Sequence, residues 1–166
     1  MTEQNLPEDF QQCIDFHGHL CGGLTVGYRV AKAAAERLGI GRAEDEEIVA
    51  VAENDTCAVD AVQVLLGCTF GKGNLRFRDY GKMAFTFWDR RTGRGIRVVR
   101  RPGTRGKSTE EMLSMSADDL LDIQPARGPM PEEARIRDSE ACAKCGEETM
   151  VTRLERGVCP ACRAAG

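Results

Sequence analysis

Leu24-Thr25-Val26-Gly27-Tyr28-Arg29-Val30-Ala31-Lys32-Ala33-Ala34-Ala35-Glu36-Arg37-Leu38-Gly39 is the stretch from which the rest of the chain is best read. Leu24, Gly27, Tyr28, Ala31, Ala34, Ala35 and Leu38 fall on one stripe at helical spacing, and Gly39 stands where a left-handed C-terminal cap belongs. The spacing predicts a buried helix over 22–38, and its many small residues imply close packing against another element. Downstream, Ile48 to Ala52 is a short apolar run suited to an inner strand. It empties into Glu53-Asn54-Asp55-Thr56, which is rich in helix-capping residues, so a second helix is expected from Cys57 to Leu66. Gly67 and Gly71 end it. Leu75 to Phe77, Met83 to Phe87 and Ile96 to Val98 then alternate as strands do, with turn residues at 79–81 and 92–95, and predict a strand meander after the two helices.

Ser108 with Glu111 makes a capping box, which predicts a further helix over 109–121. Pro125, Gly128, Pro129 and Pro131 cannot continue it and mark a linker. The expected division is a core domain over 1–123, a linker over 124–138 and a small domain over 139–166. A length of 166 residues suits one ordinary domain plus such an appendage.

Hydrophobic residues make up 42% and charged residues 30%, the balance of a soluble globular protein. The first ten residues lack the basic start and apolar run of a secretory signal, and no apolar stretch reaches membrane-spanning length, so the chain reads as cytoplasmic. Eight cysteines in such a chain point to metals or redox chemistry rather than structural disulfides. A net charge of −3 argues against a general drive toward nucleic acid. Arg90, Arg91, Arg94, Arg97, Arg100, Arg101, Arg105 and Lys107 nevertheless crowd one segment, which is either a local anion-binding surface or the solvated face of a hairpin.

Cys142-Ala143-Lys144-Cys145 and Cys159-Pro160-Ala161-Cys162 are two tight turns separated by about a dozen residues, a spacing at which four thiolates close a tetrahedron around zinc. Thr149, Val151 and Leu154 suit a hairpin that positions the turns, and so short a segment has almost no core without metal. Disulfides and an iron–sulfur cluster are the alternatives.

The only two histidines stand in Cys13-Ile14-Asp15-Phe16-His17-Gly18-His19-Leu20-Cys21-Gly22-Gly23. The glycines predict a loop rather than a continuous helix. If extended, His17, His19 and Cys21 point to one side; if helical, Cys13, His17 and Cys21 share a face. Cys21 opens the first long helix and Cys57 the second, where backbone N–H groups and the helix dipole stabilise a thiolate. Each is either a reactive or metal-binding sulfur or an ordinary buried cysteine. Cys68 lies in Gly67-Cys68-Thr69-Phe70-Gly71-Lys72-Gly73, whose spacing and final glycine exclude a Walker phosphate loop. Lys72 is read as a surface lysine or an anion contact.

The run His17-Gly-His19-Leu-Cys21-Gly-Gly-Leu24, the segment Asp55-Thr-Cys57-Ala-Val-Asp60-Ala-Val-Gln63 and the loop Gly67-Cys68-Thr69-Phe-Gly71-Lys72-Gly73-Asn74-Leu75 together resemble the FmdE family, named for the FmdE component of molybdenum formylmethanofuran dehydrogenase. The resemblance implies an α+β core, a mixed five-stranded sheet flanked by helices with thioredoxin-like character, followed by a treble-clef zinc finger. It also implies a core site able to hold a metal at the positions matching His17, His19, Cys21 and Cys57, with Cys68 nearby, and a homodimer. The flat apolar strands at Met83, Phe85 and Phe87 would otherwise leave exposed surface.

The leading expectation is an accessory or catalytic subunit of one-carbon or molybdopterin-dependent redox metabolism, within or beside such a dehydrogenase complex. Structural zinc is expected on Cys142, Cys145, Cys159 and Cys162. A second metal, read as zinc, is expected in the core on His17, His19, Cys21 and Cys57, with Cys21 and Cys57 as candidate catalytic thiols. The alternatives are a zinc-finger module binding nucleic acid or an acidic protein, and a thiol redox protein. The last depends on folding to bring Cys21 to Cys57.

Overall fold

The structure, a computed structural model, describes residues 6–165 and divides into two compact units, Met1–Glu133 and Ala134–Gly166. In the first unit α1 (Glu8–His17), α2 (Gly22–Leu38), β1 (Ile48–Ala52) and α3 (Ala58–Leu66) precede β2 (Leu75–Phe77), β3 (Ala84–Asp89) and β4 (Gly95–Arg100). The short helices α4 (Thr109–Ser114) and α5 (Ala117–Leu120) lead into β5 (Leu121–Pro125).

The strands form one mixed sheet in the order β2-β1-β3-β4-β5. β2 runs parallel to β1 and every other pairing is antiparallel. The expected meander is therefore corrected at one point: β2 crosses to the far side of β1, so β1 becomes an inner strand with all five residues buried. A strand buried on both faces reads as a continuous apolar run, as Ile48 to Ala52 does.

One sheet face packs on α2 and α3. Ala50, Ala52, Phe85, Phe87 and Val98 meet Val26, Val30, Ala34 and Val62 in the main core. Phe85 and Phe87 are fully buried there, which removes the physical argument that they expose a flat apolar face for dimerisation. The opposite face carries Val49, Val51 and Trp88, partly covered by Ala126 and Met130.

The predicted helix α2 is present over Gly22–Leu38, and Gly39 closes it at φ 69°. Its small residues serve the predicted close approach. A Cβ at Gly27 would stand 2.5 Å from Ala58 Cα, so glycine at this one position lets the N-terminal ends of α2 and α3 touch. The expected helix over 109–121 is corrected to two short pieces and a strand. The capping box forms at Ser108 and Glu111, but Met115 and Ser116 turn extended, and Leu121 to Pro125 complete the sheet, ending in residues read as linker. Arg29 takes up the freed carbonyls of Met112, Leu113 and Met115.

Sequence reading missed α1. Phe10 and Cys13 are its buried residues, packed with Leu24, Tyr28 and Ala61 in a second core cluster. Tyr28 donates to Asp9 at 3.0 Å and Lys32 pairs with the same carboxylate at 2.7 Å, which ties α1 to α2.

The second unit holds β6 (Ser139–Ala141) antiparallel to β7 (Glu148–Met150) and α6 (Pro160–Ala164). Among its described residues, Cys142 and Cys159 are the buried ones. No helix of the described chain is long and apolar enough to cross a membrane.

Candidate metal centre

The site in the first unit forms where three helix ends meet. α1 runs to His17 and stops at Gly18, which adopts φ 94° and donates its N–H to Ile14. That left-handed residue turns the chain so that His19 and Cys21 fold back toward His17. The donor atoms of His17, His19 and Cys21 all lie within 4.8 Å of one another. His17 Nε2 is 3.8 Å from Cys21 Sγ, and the two imidazole centroids are 4.6 Å apart. The grouping expected from an extended loop is thus reached by a helix, a left-handed turn and a second helix start. Cys13 belongs elsewhere, since its thiol donates to Asp9 O inside the packed cluster and burial pushes its pKa up to about 11.

Cys21 is the N-cap of α2, and its sulfur accepts the N–H of Leu24 at 3.3 Å. That bond satisfies one orphan donor of the helix and stabilises negative charge on sulfur. Cys57 opens α3 in helical conformation and makes no capping bond. Here the expectation of a thiolate favoured by the helix start is corrected: burial, then the hydrogen bond and charge of Cys21, with the charge of Asp60 adding, push the Cys57 thiol upward. Cys21 and Cys57 are neighbours, because a Cβ on Gly23 would stand 3.9 Å from Cys21 Sγ and 3.7 Å from Cys57 Sγ. Cys57 still lies outside the mutual group of His17, His19 and Cys21.

Asp60 is the residue that sequence reading left without a role. Its Oδ2 lies 2.7 Å from His17 Nδ1, from the first turn of α3. A carboxylate on Nδ1 fixes the imidazole so that Nε2 carries the lone pair facing Cys21, an arrangement common behind metal-bound histidines. The available signal was spacing, because Asp60 stands three residues after Cys57 and shares its helix face.

Cys68 is not part of this site. It is fully buried in the main core, close to the carbonyls of Ile48 and Leu66, and burial raises its pKa to about 12. The glycine-rich loop after α3 is structural: Asn74 reaches Asp45, Ile48 and Gly67 carbonyls, and Lys72 donates to the carbonyls of Ala43 and Glu44.

In the second unit the sulfurs of Cys142, Cys145, Cys159 and Cys162 lie within 4.8 Å of one another. Backbone N–H groups of Lys144 and Cys159 point at Cys142 Sγ at 3.4 and 3.3 Å. Backbone donors led by Cys145 bring the Cys142 thiol down to about 6. Cys159 caps α6 and accepts from Cys162 N. The tip of the β6–β7 hairpin supplies one cysteine pair and the start of α6 the other, an arrangement compatible with a zinc finger.

The arginine-rich segment is spent on the fold itself. Arg90 donates to Glu46 and Pro131 carbonyls, Arg91 pairs with Asp89, Arg94 reaches Arg37 O, and Arg97 grips Glu53. Arg100 binds Thr104, Arg101 the carbonyls of Asp118 and Leu121, and Lys107 pairs with Glu111. The alternative of a continuous basic surface on 90–107 is corrected accordingly, and a nucleic-acid module loses its main support.

The sequence pattern described as "FmdE, Molybdenum formylmethanofuran dehydrogenase operon" matches residues 16–143, well over half of the chain. The chain belongs to the FmdE family. An FmdE-like protein of known structure, assigned to a tungsten formylmethanofuran dehydrogenase of Syntrophus aciditrophicus, superimposes with a TM-score of 0.72 at 25% identity, covering 96% of this chain and 92% of that one. A probable S-adenosyl-L-methionine-binding protein from Archaeoglobus fulgidus is 30% identical over 191 residues, which covers 89% of this chain. The chain matches 50% of that relative's length. The FmdE match begins at Phe16, one residue before the site, and includes His17, His19, Cys21, Cys57 and Asp60.

Proposed function

We propose that this FmdE-family chain is a metal-carrying accessory or catalytic subunit acting with a formylmethanofuran dehydrogenase or a related one-carbon redox enzyme. Its working centre is a zinc ion held by His17, His19 and Cys21, with Cys57 flanking the fourth position. The observation that carries this reading is the 2.7 Å contact of Asp60 with His17 Nδ1, which aims Nε2 at a sulfur 3.8 Å away with a second imidazole beside it. Two imidazoles and a thiolate are a donor set that suits zinc. Bound there with one position open, zinc supplies Lewis-acid polarisation of a carbonyl or an activated water.

The rest of the work falls to the chain. Asp60 holds the proton on His17 Nδ1, so that Nε2 stays free to ligate. The Leu24 N–H supports charge on Cys21 Sγ. His19 is exposed, with Leu20 and Phe16 beside it at 37% and 60% exposure, which leaves the site open to a substrate or a docking protein. A second zinc on Cys142, Cys145, Cys159 and Cys162 folds the tail. A homodimer is part of the proposal on the family likeness alone.

Metal analysis of protein purified without oxygen tests this reading. Two equivalents of zinc are expected in the native chain and one in Cys21→Ala or His17→Ala. A native chain with a single equivalent, released by Cys142→Ser, would overturn the core site.

The closeness of Cys21 and Cys57 supports a second reading, in which a peroxide or disulfide oxidant takes two electrons and two protons from the thiols to leave one disulfide bond. Mass spectrometry of the metal-free chain after mild oxidation decides it: a Cys21–Cys57 peptide is expected only under this reading.

A further inference from the structure

The sheet face turned away from α2 and α3 carries a second concavity, remote in the fold from the cysteines. It has a volume of 320 Å³, within the range of about 300–1,000 Å³ typical of small-ligand pockets. Arg97 and Glu53 line it, with Thr86 between them on the neighbouring strand. Arg97 Nε and Nη2 donate to the two oxygens of Glu53 at 2.6 and 2.7 Å, which locks the guanidinium on one edge. Its remaining edge, Nη1, makes no hydrogen bond among the described residues and is not buried.

Arg78, Lys82 and Arg127 complete a set of four cations against the single carboxylate of Glu53, with Asp122 near Arg97 as the next negative group. The side chains of Arg78, Lys82 and Arg127 make no ion pair with any described residue. These cations differ from those of the 90–107 segment, whose charges are already engaged. Trp88, 7% exposed, and Tyr80, 57% exposed, supply aromatic surface to the same cavity.

We propose that this cavity binds a small phosphorylated ligand with a flat ring, of the nucleoside monophosphate class. The phosphate meets the free edge of Arg97 together with Arg78 and Lys82, and the ring lies against Tyr80 and the exposed rim of Trp88. An arginine pinned on one edge by a carboxylate loses little freedom when its other edge takes a phosphate, which is why such pairs recur as anion contacts. The Glu53 charge is matched by Arg97, so the cavity retains an excess of positive charge. That excess selects against neutral and cationic rings.

Trp88 is the chain's one tryptophan, so its fluorescence reports this cavity directly. AMP titrated into the full-length protein is expected to change that fluorescence saturably, with calorimetry giving the same midpoint. Adenosine and inorganic phosphate, each carrying half of the recognised chemistry, are expected to bind at least about tenfold more weakly, a ratio equal to roughly 1.4 kcal/mol. S-adenosyl-L-methionine, which has the ring without a phosphate, is expected to rank with adenosine. Replacing both Arg78→Gln and Lys82→Gln should weaken AMP about tenfold while zinc content and melting temperature stay unchanged, since neither side chain holds another element. Adenosine, phosphate or S-adenosyl-L-methionine equal to AMP, an unaltered midpoint in the double variant, or no saturable signal at about 5 mM AMP would each overturn the proposal.

Discussion

In the first unit the donors sit on a scaffold that exists without them: α1, α2 and α3 pack through Phe10, Leu24, Tyr28 and Ala61, and the three ends deliver His17, Cys21 and Asp60 to one place. In the second unit two of the sulfurs are themselves the buried residues, and the hairpin and the short α6 have no apolar core between them. A cluster on a scaffold can lose its metal and keep its fold, whereas a cluster that is the core cannot. The difference also sets geometry. A core site inherits its open side from where helix ends happen to leave room, while a four-sulfur shell closes on itself.

The sharpest way to break this comparison is to take metal from both units. Excess chelator, or Cys142→Ser with Cys162→Ser, should abolish protected amides and resolved NMR signals beyond about residue 138 while the core spectrum persists, because structural zinc supplies on the order of 10 kcal/mol in such modules. Collapse of the core spectrum in the cysteine variants would show that the two units are not independent.

Gly27→Ala attacks the scaffold rather than a donor. Its methyl would collide with the Ala58 backbone, and the closed approach of α2 and α3 should loosen at a cost of about 3 kcal/mol, read by urea denaturation. Core metal should be lost with it, since Cys21 and Asp60 would separate, while the tail keeps its own. Retention of the core metal would mean that the helix contact does not position the site.

Asp60→Asn leaves the scaffold and all direct donors in place. Metal affinity in the core is expected to fall about 10- to 100-fold, with little change in melting temperature, which competition with a chromogenic chelator can measure. Cys57→Ala should cost less metal than Cys21→Ala, because Cys57 stands outside the mutual donor group. Equal losses would move it among the direct ligands.

The smallest effect is electrostatic and belongs to the sheet face. The hydrogen bonds of Arg97 hold the Glu53 carboxyl below its ordinary range even against the opposing effect of burial. A lowered folded-state pKa stabilises the native state above the unfolded value, near about 4.3, and that contribution disappears as the pH falls through the lower folded value. Glu53→Gln should therefore flatten the acid limb of stability between those two points, and an identical acid limb in the variant would sever the pair from it.

Local rules carried much of this molecule. Helix α2 with Gly39 at its end, strand β1, helix α3, the capping box at Ser108 and the paired Cys-x-x-Cys turns each depend on residues within a few positions of one another, so the sequence alone specified them. It also named His17, His19 and Cys21 as a group, because they lie within five residues. What tertiary structure decided involves distant partners. β2 chose the far side of β1, Phe85 and Phe87 went under a helix, and the arginines of 90–107 found carbonyls and carboxylates scattered through the first unit. Asp60 acquired its role only when Gly27 let α3 approach α2, bringing a carboxylate to an imidazole 43 residues earlier. Propensity and spacing act over one or two turns of chain, whereas such contacts are fixed by which packing buries the most surface without leaving a polar group unpaired.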